Sequence, residues 1–225
     1  MNIILFGPPG AGKGTQAENI VKNFNLFKVS TGDLLREEIK KKTNIGVKFK
    51  SIIDQGSLVP DDIINELILK ILNNKDFKNR IIFDGYPRNL NQAKNLDLLL
   101  KNSNQKISCV LSLTVSKEVI IKRILGRQTC TNCGLIFNKY FNPADQKSHS
   151  CDQKYLIKRT DDNEMTIINR FETYLEKTHP ILNFYKDHKL LHEINGTAEI
   201  HQIYKEIRTI MSSLETWLCD SYLYK

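Results

Sequence analysis

Ile3-Ile4-Leu5-Phe6 runs without a break into Gly7-Pro8-Pro9-Gly10-Ala11-Gly12-Lys13-Gly14-Thr15. The apolar run is short and uninterrupted, as in a strand covered on both faces. The glycines after it let backbone N–H groups curl around an anion, because no Cβ blocks the approach. A helical pattern starts at Lys13, and its N-terminal end adds partial positive charge. Lys13 offers a point charge to phosphate oxygens, and Thr15 offers a hydroxyl to Mg²⁺. The general pattern puts Ser or Thr directly after the lysine, whereas here Gly14 intervenes. Strand, loop, lysine and helix together read as a phosphate-binding loop.

Working outward, apolar or β-branched runs recur at 3–6, 26–29, 80–84, 109–114 and 190–194. Helical patterns fill the spaces at 14–24, 31–42, 61–72, 89–99, 117–125, 166–187 and 199–218. This alternation predicts an α/β fold with a parallel sheet covered on both faces. Ligands of such sheets sit at the carboxyl ends of the strands. The loop, Ser30-Thr31-Gly32-Asp33 and Asp84-Gly85-Tyr86-Pro87-Arg88 all follow strands, so they are expected to converge. Two segments interrupt the alternation. Residues 30–59 read as helical with no strand, and 127–163 are polar and rich in turn formers. Both read as insertions at the ligand edge, where moving lids belong.

The chain has 33 basic and 25 acidic residues, a net charge of +8. No long single-sign block and no RNA- or DNA-binding signature accompanies that charge. The basic excess therefore points to small phosphorylated ligands and a solvated surface, with no nucleic-acid partner. A strand opens the chain and leaves no room for a secretory signal. No apolar run approaches the ~20 residues of a membrane helix. A cytoplasmic protein without membrane contact is expected, and its five cysteines are not expected to form structural disulfides. Arginine is scarce beside lysine, so each arginine is informative; its planar fork grips phosphate bidentately, which lysine cannot do. Arg36, Arg88, Arg123, Arg127, Arg159 and Arg170 fall inside motifs. Arg80 and Arg208 read as ordinary surface residues. The tail 212–225, with Trp217 and Cys219, reads as the end of a helix.

Gly7–Thr15, Ser30–Arg36, Asp84–Arg88, Gly126-Arg127 and Arg159-x-Asp161-Asp162 stand in an order that resembles the adenylate kinases of the long, lid-bearing type. The resemblance covers the chain to about residue 197. It implies a P-loop nucleoside monophosphate kinase fold: a five-stranded parallel sheet flanked by helices, with an AMP-binding insertion and a lid insertion. The core would be 1–29, 60–126 and 164–225, the AMP insertion 30–59 and the lid 127–163. The implied activity is reversible Mg²⁺-dependent transfer of the ATP γ-phosphoryl to AMP, giving two ADP, by a monomer.

Site roles follow from the same resemblance. ATP would be held by Gly10, Ala11, Gly12, Lys13, Gly14, Thr15, Arg123, Arg127, Ile136, Phe137 and Ala198. AMP would be held by Thr31, Arg36, Ser57, Leu58, Val59, Gly85, Tyr86, Pro87, Arg88, Gln92, Arg159 and Arg170. Lys13, Arg88, Arg127, Arg159 and Arg170 would surround the transferred group, and Asp84, helped by Asp33, would orient Mg²⁺ through water. UMP and CMP kinases are the alternative. They typically have Asn after the Pro-Arg pair, as Asn89 stands here, but Ala in place of Thr31. A Gln92 amide can donate and accept along one edge, which matches the N6/N1 edge of adenine. A switch GTPase is a second alternative, but the chain lacks its Asn-Lys-x-Asp guanine reader.

Cys130-Thr131-Asn132-Cys133-Gly134 forms half of a zinc knuckle. Two thiolates at that spacing suit one soft or borderline metal. Cys151 and His149 are the first candidates to complete the set, and Asp152 in place of His149 the second. A zinc there would be structural, and a metal-free, hydrogen-bonded lid is the remaining alternative. Cys109 sits in a buried run and reads as plain core.

Overall fold

The computed structural model describes residues 1–145, 148–159 and 161–223. In chain order it contains β1 (Asn2–Phe6), α1 (Lys13–Phe24), β2 (Phe27–Ser30), α2 (Thr31–Lys40), α3 (Asn44–Asp54) and α4 (Asp61–Leu72). Then follow β3 (Ile81–Asp84), α5 (Leu90–Asn102), β4 (Ile107–Thr114), α6 (Lys117–Leu125), β5 (Arg127–Cys130), β6 (Ile136–Asn138) and β7 (Leu156–Ile157). The chain closes with α7 (Glu164–Thr173), α8 (Ile181–Asp187), β8 (Leu191–Asn195) and α9 (Ile200–Leu223).

Five strands form one sheet in the order β2-β3-β1-β4-β8, every pair parallel. All five expected strands are present within two residues of their expected ends. Side chains alternate across a strand, so β1 feeds two separate cores. Ile4 and Phe6 join Val29, Ile81, Phe83 and Val110 beneath α4, α5 and α8. Ile3 and Leu5 join Ile82, Cys109, Leu111 and Leu113 beneath α1 and α9. Every side chain of β1 is buried, which is why its sequence shows no polar alternation. Asn2 is the polar member. Its Oδ1 accepts from the Ile81 N–H at 3.2 Å, and its Nδ2 donates to Gln105 Oε1 at 3.2 Å.

Four local features differ from expectation. The helix expected over 166–187 is broken into α7, a π-helical turn at Tyr174–Thr178, and α8. Pro180 lacks an N–H and stands just before α8, so the preceding helix cannot run through it. The helix expected over 31–42 ends at Lys40, and Lys42 adopts a positive φ of 52°. The segment 127–163 is not turns alone. It carries an antiparallel three-stranded sheet in the order β6-β5-β7, whose two- to four-residue strands are too short to show a period. Arg80 is no ordinary surface residue. Its Nε donates to Asn25 O at 2.8 Å and its guanidinium to Phe24 O at 3.1 Å. These bonds satisfy carbonyls left open at the end of α1. The side chains of Trp217 and Cys219 lie outside the described residues.

Replacing Asn2 with Ala strands the Ile81 N–H inside the sheet. The Asn2→Ala variant is expected to lose about 1–3 kcal/mol of stability, read as a lowered urea midpoint with an unchanged m-value.

Candidate active site

Parallel strands leave the carboxyl ends of β1, β2 and β3 on one edge, and a cleft crosses that edge. Its floor is the loop from Pro9 to Thr15. Gly10 and Gly12 have φ of +79° and +95°, in the left-handed region. A Cβ on Gly10 would also come within 2.7 Å of the Ile124 side chain. Gly12 precedes α1, and no side chain caps that end, so its first N–H groups remain for a ligand.

Lys13 folds back over the loop, donating to Gly7 O at 2.7 Å and Pro8 O at 3.0 Å. Burial lowers its pKa to about 8 against the pull of Asp84, and Arg88, Arg170 and Arg127 push the same way. Burial raises Asp84, with Lys13 and Lys28 opposing. Burial acts upward on Asp33 too, yet Arg36 and Lys28 hold it below the usual carboxylate range.

The motif arginines converge on this cleft: Arg36, Arg88, Arg123, Arg127, Arg159 and Arg170 all line it, as do Ile136 and Phe137. Arg88 Nε donates to Gly85 O at 2.8 Å, and the Thr178 hydroxyl holds the Arg88 carbonyl at 2.8 Å. Burial, then the nearby Arg170 and Arg36 charges, bring Arg88 down to about 10. Arg159 falls to about 10 by burial and the charges of Arg127 and Arg36. Three carboxylates relieve the crowding. Asp33 pairs with Arg36 and Asp162 with Arg127, while Asp161 takes Arg170 at 2.8 Å. Cations that repel one another inside a cleft are stabilised when a polyanion enters.

Beside the loop, Arg123 donates to Gly196 O at 2.7 Å and lies 5.5 Å from the Phe141 ring centre. Ala198, expected here, packs against the core under α9. Ile200 and Ile203 line the cleft. So does Gln16, buried, with Nε2 on Ile200 O at 3.0 Å and Oε1 without a hydrogen-bond partner among the described residues. The sequence reading missed Gln16, Lys28, Ile200 and Ile203. Gln16 falls on the loop-facing turn of α1, one residue after Thr15, and that position was the available signal.

A second pocket adjoins the first. Thr31, Arg36, Ser57, Leu58, Val59, Arg88, Gln92 and Arg170 line it, together with Asp161. Thr31 Oγ1 donates to Gly85 O at 3.0 Å. Pro87 lines a third pocket, with Gly85 and Arg88, that shares Arg88 and Arg170 with both of the others. Tyr86 is wholly buried, and its hydroxyl donates to Asn65 Oδ1 at 3.2 Å. Asn89 caps α5, its Oδ1 accepting from the Gln92 N–H at 2.8 Å, and its Nδ2 donates to Asp61. That structural work accounts for an asparagine at this position without any pyrimidine base.

The adenylate kinase family model matches residues 5–190. An adenylate kinase from Pelagibacter ubique (strain HTCC1062) is 49% identical over 211 residues, covering 94% of this chain and 99% of that protein. The chain belongs to the adenylate kinase family. An adenylate kinase from Clostridium botulinum (strain Hall) is 42% identical, over 94% of this chain and 98% of its own length. One from the archaeon Archaeoglobus fulgidus is 38% identical, over 96% of this chain and 100% of its own. Among the described residues no helix is long and apolar enough to cross a membrane.

Within this family member, β5, β6 and the turns after them gather Cys130, Cys133, His149 and Cys151. One ligand atom from each lies within 4.8 Å of the others. Asp152, the second candidate, instead caps a short turn at Lys154 N, 2.9 Å away. His149 is buried, packs edge-on to Phe137 at 4.9 Å, and leaves Nε2 without a hydrogen-bond partner among the described residues. Burial opposes ionisation of Cys130, yet the Cys133 N–H and His149 bring its thiol down to about 6. Cys109 is buried in the core and is pushed up to about 12 by burial alone.

Lys13 supplies a testable pH dependence. Its charge attracts phosphate, and in the free protein that charge is lost as pH rises through about 8. Polyphosphate affinity, followed by calorimetry, is therefore expected to weaken above that pH in the wild type and to show no such step in Lys13→Met. The stability contribution has the opposite sign. Between about 8 and 10.5 the unfolded chain holds more protons on Lys13 than the folded chain does, so this contribution rises with pH.

Proposed function

We propose that this chain is a cytoplasmic, monomeric adenylate kinase that converts ATP and AMP reversibly into two ADP. One observation carries the reading: Arg36, Arg88 and Arg170 line both pockets. Two phosphate sites that share cations suit transfer of a group between two bound phosphates, and a one-nucleotide switch has no need of the second site.

The loop of residues 10–15, with Lys13, holds the ATP phosphates, and Arg123 with Ile136 and Phe137 takes the adenine side. Thr31, Arg36, Ser57–Val59, Gly85–Arg88 and Gln92 hold AMP. An oxygen of the AMP phosphate forms the new bond to the γ-phosphorus as the bond to the β-phosphate oxygen breaks. The protein positions the two ends and neutralises the charge spread over the migrating oxygens. Arg88, Arg127, Arg159 and Arg170 do that work with Lys13. Asp84, with Asp33, would hold Mg²⁺ through water and Thr15 would offer it a hydroxyl, and the ion would neutralise phosphate charge. Residues 30–59 act as the AMP-binding insertion and 127–163 as the lid, on a core of 1–29, 60–126 and 164–225.

Zn²⁺ fits the three thiols and the unpartnered imidazole nitrogen of the lid, a donor set that suits a four-coordinate structural site. It stiffens a lid whose own apolar content is small.

Protein mixed with MgATP and AMP is expected to form ADP; turnover with UMP but none with AMP would reassign the acceptor. Arg88→Lys is expected to lower kcat by roughly 100-fold or more despite its retained charge, because the bidentate fork is lost. Near-normal turnover of that variant overturns the role. Protein purified without chelator is expected to carry one zinc per chain, and Cys133→Ser to lose it with a lowered Tm. Absence of stoichiometric zinc overturns the metal reading.

A further inference from the structure

Gln92 is 2% exposed and sits in the wall of the AMP pocket. Both ends of its amide already have partners. The Arg88 backbone N–H donates to Oε1 at 2.8 Å, and Nε2 donates to Asp61 Oδ1 at 2.6 Å. Asp61 also takes Asn89 Nδ2 on both oxygens, at 2.9 and 3.1 Å. Asn89 accepts the Gln92 N–H in turn. The contacts close into a ring that runs from the start of α4 to the start of α5.

Neither outer partner can exchange roles. A backbone N–H only donates, and a carboxylate only accepts. Turning the amide over would set donor against donor at Arg88 and acceptor against acceptor at Asp61, leaving buried groups unpaired. The sense of the amide is therefore fixed by its neighbours.

A primary amide has two acceptor and two donor directions. The ring uses one of each and leaves one of each. The remaining pair complements a 6-aminopurine, which donates from N6 and accepts at N1. A 6-oxopurine presents the reverse pattern, an acceptor at O6 and a donor at N1. A freely turning amide could serve either base; a fixed one serves the first when the base sits with position 6 toward Oε1 and N1 toward Nε2.

We propose that Asp61 is a positioning residue that, together with the Arg88 backbone N–H, sets base selectivity, locking the Gln92 amide so that the acceptor site takes 6-aminopurine and refuses 6-oxopurine monophosphates. The proposal rests on Gln92 as the base reader described above.

The test compares kcat/KM for AMP and for inosine monophosphate, at saturating MgATP, in the full chain. Asp61→Asn keeps the shape but offers Gln92 either a donor or an acceptor. Its AMP preference is expected to fall about tenfold or more, the effect of one unpaired buried polar group. Part of that fall comes from a rise in kcat/KM for inosine monophosphate, and the KM for MgATP stays put. A parallel loss for both acceptors, with their ratio intact, makes Asp61 a purely structural residue and overturns the proposal. Gln92→Leu separates the two layers. If it leaves the ratio at the wild-type value, the base-reader reading itself fails. If it collapses the ratio while Asp61→Asn does not, only the role of Asp61 fails. Should Asp61→Asn not fold, Asp61→Ala is read by the same ratio.

Discussion

The covering of one parallel sheet on both faces is the constraint from which the site follows. Strands β2, β3 and β1 lie side by side and point the same way. Each therefore ends on the same edge, and each end begins a chemically loaded segment: the loop at Gly7, Thr31 with Asp33, and Asp84 with Arg88. Convergence of these residues, far apart in sequence, needs no special attraction among them. Their charges would oppose it. Hydrophobic burial on two faces supplies the driving force, at ~25 cal/mol per Å² of apolar surface removed from water.

The electrostatics of the cleft are the counterpart of that packing. Lys13, Arg88 and Arg159 each have a lowered pKa, with burial as the leading cause and neighbouring cations adding to it. Asp33, Asp161 and Asp162 offset only part of the repulsion. The free site is thus held in a state that an incoming polyphosphate relieves, and binding and charge neutralisation are one event. Because Arg36, Arg88 and Arg170 border both pockets, occupancy of one alters the field in the other.

Much of this was readable in the residues. The inner strands β1, β3 and β4 stood out because burial on both faces makes them largely apolar, and the arginines because they are scarce among lysines. The lid sheet was not readable, since strands as short as Leu156–Ile157 have no period to detect. The break at Tyr174–Thr178 was masked by apolar spacing that continues across it, although Pro180 marked its far side. Residues inside the motifs were visible, and those that hold a neighbour in place were not. Asp61 looks like the first residue of a helix. Gln16 looks like helix interior. Arg80 looks like surface. Each declares its role only through a partner distant in sequence, at Gln92, Ile200 and Phe24.

The division of β1 between two cores has a consequence for the loop that follows it. Odd-numbered residues Ile3 and Leu5 face one hydrophobic layer, and even-numbered Ile4 and Phe6 face the other. Gain or loss of a single residue anywhere in the strand would reverse that parity and carry Gly7 along by about 3.3 Å. No half-step is available, because every intermediate placement leaves both layers mismatched. The loop is therefore metered by counting: its distance from the sheet edge is stored digitally, in which residues are odd and which are even.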